Sequence, residues 1–445
     1  MWSTPHNSLE RKEMNEHSFD IVVVGAGCAG PAAAKRAAEN GLKTLLLEKA
    51  NVPGEKNVSG TCLQTAALSD PDLNYLLAGP VEREIRQMRT YQISDDRITV
   101  FEDIPTRGIL LLSIRRDHFD AWHTEQARLA GAEVKLGTAV QDIVKEDGTI
   151  VGVVADGTTY QGRVIIDAGG VNSIVGRKAG LIGRRSGNCM ILYVTANVLL
   201  GEEVIDERFG DTIEYYHGTG LQNRTWPWIF PKREVVTLGT GGYMNSDLIS
   251  GDITSVNDYM RNFMDYPIVA DKLHGGRLVA WGCHLEYDDP LPSNTADNLI
   301  LAGEAGGYVA PFLGEGMPEA FFTGVYAADA AREALVSGDT SAESLGRLYH
   351  DRIEQNAFLQ GFYHVATKNK DAILASSDEE ITAMMQNVSM SGGFITSAVH
   401  HNWMVGAEEE DLDKVQEALD FVEFITPYRT LGEDFETLYE KWRAK

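Results

Sequence analysis

The stretch Asp20–Glu48, DIVVVGAGCAGPAAAKRAAENGLKTLLLE, restricts the fold more than any other part of the chain. It reads as a buried strand, a glycine turn, an alanine-rich helix closed by Asn40-Gly41, and a second buried strand ending in an acid. Gly25 permits the sharp turn, Gly27 lets the backbone approach a pyrophosphate, and Gly30 lets the helix pack closely on the strand. The helix begins near Cys28 and Ala29, where its open amides and dipole meet negative charge. Glu48 is placed to accept hydrogen bonds from ribose hydroxyls, and Lys49 follows it at the same strand end. Cys28 reads as a small packing residue. The pattern predicts an adenine-dinucleotide site in an α/β fold.

The 445 residues suit two intimately packed domains. The longest apolar runs, Ile21–Val24, Leu45–Leu47 and Ile109–Leu112, fall far short of the ~20 residues of a spanning helix. No membrane span is expected. Residues 1–18 are polar and mixed in charge, which predicts a disordered leader without the apolar centre of a secretory signal. A cytoplasmic location follows, with peripheral contact at a membrane left open. The net charge of −26, from 65 acidic and 39 basic residues, argues against a nucleic-acid partner. Cys28, Cys62, Cys189 and Cys283 are widely spaced, with no iron–sulfur or zinc run, so no metal site is expected. Any single-electron input must then come from a partner.

The first turn does not separate FAD from NAD; a later segment does. NLILAGEAGGYVAPFLGEGMPEAFFTG (298–324) reads as a buried strand delivering Gly303-Glu304 to a ligand, then a turn, Gly314 to Met317, that opens a helix. Amides at that helix start, from Gly316 and Met317 onward, suit negative charge on the N1/C2=O edge of a reduced flavin. Pro318 fits the first helical turn.

Taken together, these segments resemble the geranylgeranyl reductase/FixC family, a branch of the p-hydroxybenzoate hydroxylase-like flavoproteins that also contains electron-transfer-flavoprotein:quinone oxidoreductases. The resemblance covers roughly residues 18–340. PGEKNVSG (53–60) is similar to the family loop after the second strand, which implies that Asn57, Ser59 and Gly60 meet the cofactor. SIRRDHFDAWHTEQARLAGAEV (113–134) is similar to the family's R-x-x-F-D segment and implies that Arg116 stands near the FAD phosphates or ribityl chain. Val140 matches a position whose backbone meets the adenine. Asp167-Ala-Gly-Gly170 resembles a D-A-x-G variant, with Gly169 where an acid is common, and Glu304 stands where Asp is usual. The implied fold is α/β, an FAD-binding Rossmann-like domain (two-dinucleotide-fold, GR2 type) with an interleaved β-rich substrate domain and a helical C-terminal region. The expected division is 19–90, 114–185 and 295–340 for FAD, 91–113 and 186–294 for substrate, and 341–445 for the helical region.

RTWPWIFPKRE (224–234) is similar to the Y-x-W-x-F-P element that lines an isoprenoid pocket, with Trp226 in place of the tyrosine. Trp228 and Phe230 are accordingly read as substrate-binding, as is Trp226, because aromatic side chains suit a flat or greasy ligand. The loop at 57–62 is expected near the flavin, which makes Ser59 and Cys62 candidate proton donors. His284 and the pair His400-His401 are read as surface or satisfied histidines. The leading functional expectation is an FAD-dependent oxidoreductase that moves two electrons to a hydrophobic substrate, reducing an isoprenoid-like C=C bond. One alternative is a FixC-like subunit passing electrons from an electron transfer flavoprotein to quinone; the other is an aromatic hydroxylase. No second nicotinamide fingerprint follows residue 48, so ferredoxin or an electron transfer flavoprotein is the expected electron partner.

Overall fold

Strand Ser18–Val24 is apolar on both faces from Ile21 onward, the pattern of a strand covered from two sides. In the computed structural model it pairs in parallel with Thr44–Leu47 on one side and Thr158–Asp167 on the other. Glu133–Lys135 and Leu299–Leu301 extend the parallel run at either flank. Strands Val140–Glu146, Thr149–Ala155 and Thr295–Ala296 join antiparallel and complete eight strands. The structure describes residues 17–93, 97–103, 108–184, 190–217, 227–243, 255–287, 290–309 and 316–360.

The two faces of this sheet divide by side-chain alternation. Ile21, Val23, Leu46 and Ile166 face helices Ala29–Glu39, Arg116–Leu129 and Met317–Ser337. Val22, Val24, Leu45 and Ile165 face the 140–155 hairpin through Ile150 and Val153. Helix Met317–Ser337 lies hard against Ala29–Glu39: a Cβ on Gly324 would stand 2.3 Å from the Ala29 carbonyl oxygen. Arg36 and Asp329 clamp the pair through two bonds of 2.8 Å.

A second sheet of seven strands runs Arg277–Tyr287, Met190–Leu199, Val235–Tyr243, Trp228–Pro231, Thr212–His217, Gln87–Ile93, Ile98–Asp103. Its far face is filled by Val194, Ala196, Val236, Leu238, Met260 and Phe263 under two helices, Val256–Asp265 and Pro267–Leu273. The apolar spacing predicts one helix over 256–273. Pro267 divides it, because the residue before a proline is driven out of the helical region, and Tyr266 is extended at ψ 130°. A joint of three strands, Cys62–Gln64, Leu111–Ser113 and Arg83–Ile85, links the two sheets. Residues 87–90 therefore lie in the seven-stranded sheet and 111–113 in the joint, a different partition from the expected boundaries at 90 and 113. Helices Ala342–Gln355 and Ala357–Leu359 begin the expected helical region, and 361–445 lie outside the described residues. Among the described residues no helix is long and apolar enough to cross a membrane.

His123, on helix Arg116–Leu129, is wholly buried with Nε2 2.8 Å from the Tyr75 hydroxyl. Burial pushes its imidazole down to about 3. The folded chain keeps His123 neutral while the unfolded chain takes up a proton below its ordinary value of 6.5. Stability is thus lost as pH falls from 6.5 towards 3, by on the order of 1 kcal/mol per pH unit from this residue. His123→Gln should flatten the decline of the unfolding temperature over that range; parallel curves for the two proteins would rule the assignment out.

Candidate functional site

The glycine turn after Ser18–Val24 is built by close approach. Gly25 has φ +98°, and a Cβ there would meet the Ala168 carbonyl oxygen at 2.5 Å. A Cβ on Gly30 would lie 1.8 Å from the Gly25 oxygen. Gly27 differs, since a Cβ there meets nothing within 4 Å, so the space before its backbone is open. Cys28 caps helix Ala29–Glu39 with no side-chain hydrogen bond and no acid in the first turn. An open approach to an uncapped, positively polarised helix start is what a pyrophosphate requires. The residues present fit an adenine dinucleotide.

Glu48 ties this turn to the end of the second strand. Its Oε2 accepts from the Ala26 amide and its Oε1 from the Ala50 amide, both at 2.7 Å. Each carboxylate oxygen keeps a lone pair for a ribose hydroxyl. Val140 stands at the start of its strand, opposite Ala155, with Lys49 exposed beyond Glu48. Arg116 opens its helix and is gripped by Asp120 through bonds of 2.7 and 2.9 Å. Its charge bears on Cys28, His284 and Glu286, which places the guanidinium between the two sheets. Burial pushes the Cys28 thiol up to about 12, and the side chain lies in the hydrophobic cluster under the helix.

On the other side of the crevice, Asp167 organises the Asp167–Gly170 turn. Its carboxylate is fully buried and accepts from the Gly169 amide at 2.9 Å, the Ser173 hydroxyl at 2.6 Å and the Gly176 amide at 2.8 Å. Glu304 faces that turn: its Oε2 lies 3.2 Å from where a Gly170 Cβ would be. Gly303, buried against Ala29 and Ala320, donates its amide to Thr323 at 2.9 Å. Gly316 and Met317 open helix Met317–Ser337, with Pro318 in its first turn. Gly314 lies outside the described residues.

The near face of the seven-stranded sheet carries an aromatic platform. Trp228, Gly239, Thr195 and Gly282 lie opposite one another across four strands, and Gly241, Tyr193 and His284 form the next row. Missing side chains make the room. A Cβ on Gly239 would come within 2.0 Å of the Trp228 indole, and one on Gly241 within 2.1 Å of the Tyr193 ring. Tyr193 meets Trp228 edge-on with centroids 5.7 Å apart and stacks on His284 at 5.0 Å; Phe230 adjoins at 6.2 Å from Trp228.

Loop 57–61 lies on this platform. Val58 rests on Gly282, its carbonyl accepting from the Thr195 hydroxyl, and Gly60 sits against Trp228 and Phe230. Ser59 Oγ is 2.5 Å from Thr61 Oγ1, while Asn57 is exposed. Cys62 is placed in an apolar cluster with Ile85, Met88, Leu110 and Phe230. Trp226 lies outside the described residues, as do His400 and His401. His284, read as a surface or satisfied histidine, stands on the platform with Nε2 3.7 Å from a Glu286 carboxylate oxygen; burial and the Arg116 charge push its imidazole down to about 4. Tyr193 was not singled out either. The glycines of GTGGY were the available signal, since a strand interior with three glycines marks the close approach of something bulky.

Residues 20–186 match the FAD dependent oxidoreductase family. Over 364 residues the chain is 30% identical to Protein FixC of Escherichia coli O157:H7, covering 77% of this chain and 82% of that protein. It is 27% identical over 372 residues to the "Probable electron transfer flavoprotein-quinone oxidoreductase YgcN" of Escherichia coli K12, covering 79% and 85%. A geranylgeranyl bacteriochlorophyll reductase-like protein of Thermoplasma acidophilum shares the fold, with a TM-score of 0.73 at 22% identity over 92% of this chain and 99% of that one. The dinucleotide crevice belongs to an FAD enzyme, and the chain is a member of the FixC family of FAD-dependent oxidoreductases.

Proposed function

We propose that this protein passes two electrons from FAD to a flat, apolar acceptor lying on the Tyr193–Trp228 platform, with a quinone as acceptor class and an electron transfer flavoprotein as donor. The observation that carries the reading is the platform: two large rings laid on glycines, with loop 57–61 drawn over them. The relatives' names, FixC and electron transfer flavoprotein-quinone oxidoreductase, support the donor and acceptor classes. Reduction of an isoprenoid C=C bond is the second reading, favoured by Trp228, Phe230 and Pro231 together on one strand.

In this reading the Gly25–Gly30 turn and the amides after Cys28 hold the pyrophosphate. Glu48 holds the ribose, with Lys49 beside it, and the Val140 backbone meets the adenine. Arg116, Gly169, Gly303 and Glu304 flank the phosphates and ribityl chain. Asn57, Ser59 and Gly60 face the ring from the loop, and Gly316 and Met317 turn amides towards its N1/C2=O edge. FAD would supply the two electrons, and the two protons that turn quinone into quinol would come from the reduced flavin and from solvent. Ser59 on the loop and His284 on the platform, whose imidazole burial keeps neutral, would relay those protons rather than release their own.

Anaerobic photoreduced enzyme tests the proposal. Rapid reoxidation by a short-chain quinone analogue, with none by a prenyl lipid, is the expected result. Reoxidation by the prenyl lipid alone moves the assignment to the second reading, and by oxygen alone defeats both. Gly239→Val should raise the KM for the quinone about tenfold with FAD retained, because displacing the indole forfeits its contact with a bound acceptor, about 1.4 kcal/mol.

A further inference from the structure

Lysine is almost never fully buried without a partner, yet Lys232 is only 1% exposed. Its Nζ donates to the Ile114 carbonyl at 2.6 Å, with the Ser113 hydroxyl and the Thr61 carbonyl each at 3.4 Å. These acceptors belong to two segments distant in sequence. Thr61 ends the loop that lies on the platform, and Ile114 leads directly into Arg115 and Arg116. Lys232 itself follows the strand that bears Trp228 and Phe230, and residues 228, 230 and 232 alternate onto one face. Gly60 rests on the first two and Thr61 meets the third. The loop is thus pinned at both ends: Val58 by Thr195, and Thr61 by Lys232.

We propose that Lys232 is a positioning residue, whose buried amine sets the loop 57–61 and the Arg116 segment in register with the aromatic platform. This rests on the reading that the loop lines the flavin side of the crevice. A filler at this position needs no amine; methionine has nearly the same length and none of the desolvation cost. Burial pushes the amine down to about 8, and Arg115 adds to this while Cys62, Glu82 and Asp117 act the other way. The costly group is kept where three chain segments must meet.

The test uses the full-length protein loaded with FAD, as Lys232→Met and as Met260→Ala, the latter emptying part of the far-face core. Three quantities are read: the position of the flavin absorbance band, the Kd for FAD by titration of the apoprotein, and KM and kcat for the quinone analogue. Lys232→Met should shift the band, raise the Kd about tenfold and raise KM several-fold with kcat less affected. Met260→Ala should lower the unfolding temperature without moving these values. Wild-type values in Lys232→Met, or equal shifts in both variants, overturn the proposal. If Lys232→Met does not fold, Lys232→Gln decides, since its amide is one bond too short for Ile114; the same shifts are expected there and wild-type values overturn the proposal. The band and the FAD titration need no acceptor, so a wrong acceptor class fails in the wild type and leaves this inference separately testable.

Discussion

Gly30→Ala is expected to strip the protein of FAD. The added methyl would stand 1.8 Å from the Gly25 carbonyl oxygen, and that oxygen belongs to the turn that receives the pyrophosphate. Neither atom is the tip of a flexible side chain, so relief requires the helix Ala29–Glu39 to lift from strand Ser18–Val24. The same helix is held from behind by Gly324, Arg36 and Asp329, which leaves the turn to deform instead. Overpacking of this kind costs about 3 kcal/mol, corresponding to roughly a hundredfold in FAD affinity. The ratio of flavin to protein absorbance after purification gives the first reading and titration of the apoprotein the second. Gly27→Ala is the control. Its methyl meets no protein atom, so its effect falls on the bound dinucleotide and not on the packing.

Asp167→Ala should be the most destabilising change among those considered. Removing this carboxylate leaves the Gly169 and Gly176 amides and the Ser173 hydroxyl without their acceptor in a fully buried place. A buried donor without an acceptor costs 1–3 kcal/mol, and the three together come to about 4 kcal/mol once water entry relieves some of it. The unfolding temperature should fall by several degrees, and FAD binding should weaken because the Asp167–Gly170 turn faces Glu304. Asp167→Asn keeps one acceptor oxygen and should fall between. If Asp167→Ala unfolds like the parent, the turn is held by its backbone and the carboxylate is incidental.

The dinucleotide half was legible because its signals are local. Glycine spacing, an alanine-rich helix and two apolar strands all lie within Asp20–Glu48, and each survives without knowledge of the rest of the chain. The platform was half legible. Trp228 and Phe230 stood out by residue type, whereas Tyr193 and His284 gain their meaning from inter-strand register, which one residue of slip would reverse. Lys232 was hidden for a similar reason: a lysine after proline at a strand end reads as solvated until the joint strands are placed around it. The parallel pairing of Gln87–Ile93 with Thr212–His217 joins residues 125 positions apart, as Arg89 and Glu214 are, and no local pattern announces it. Glu48 shows a different gap, since its ribose role was expected but its grip on the Ala26 and Ala50 amides was not.

The path of the chain between the two sheets has a consequence for how the protein is made. Strands Ser18–Val24 and Thr44–Leu47 enter one sheet, Gln87–Ile93 the other, Glu133–Lys135 through Thr158–Asp167 return, Met190–Leu199 through Arg277–Tyr287 cross again, and Leu299–Leu301 comes back last. The seven-stranded sheet is complete only at Tyr287 and the eight-stranded one only at Leu301, and the crevice closes only when helix Met317–Ser337 follows. Nascent chains therefore carry open edges of both sheets through most of synthesis, the condition under which intermediates aggregate. Rapid overproduction should therefore send part of the chain into inclusion bodies, and no cut between the sheets will give two fragments that fold alone.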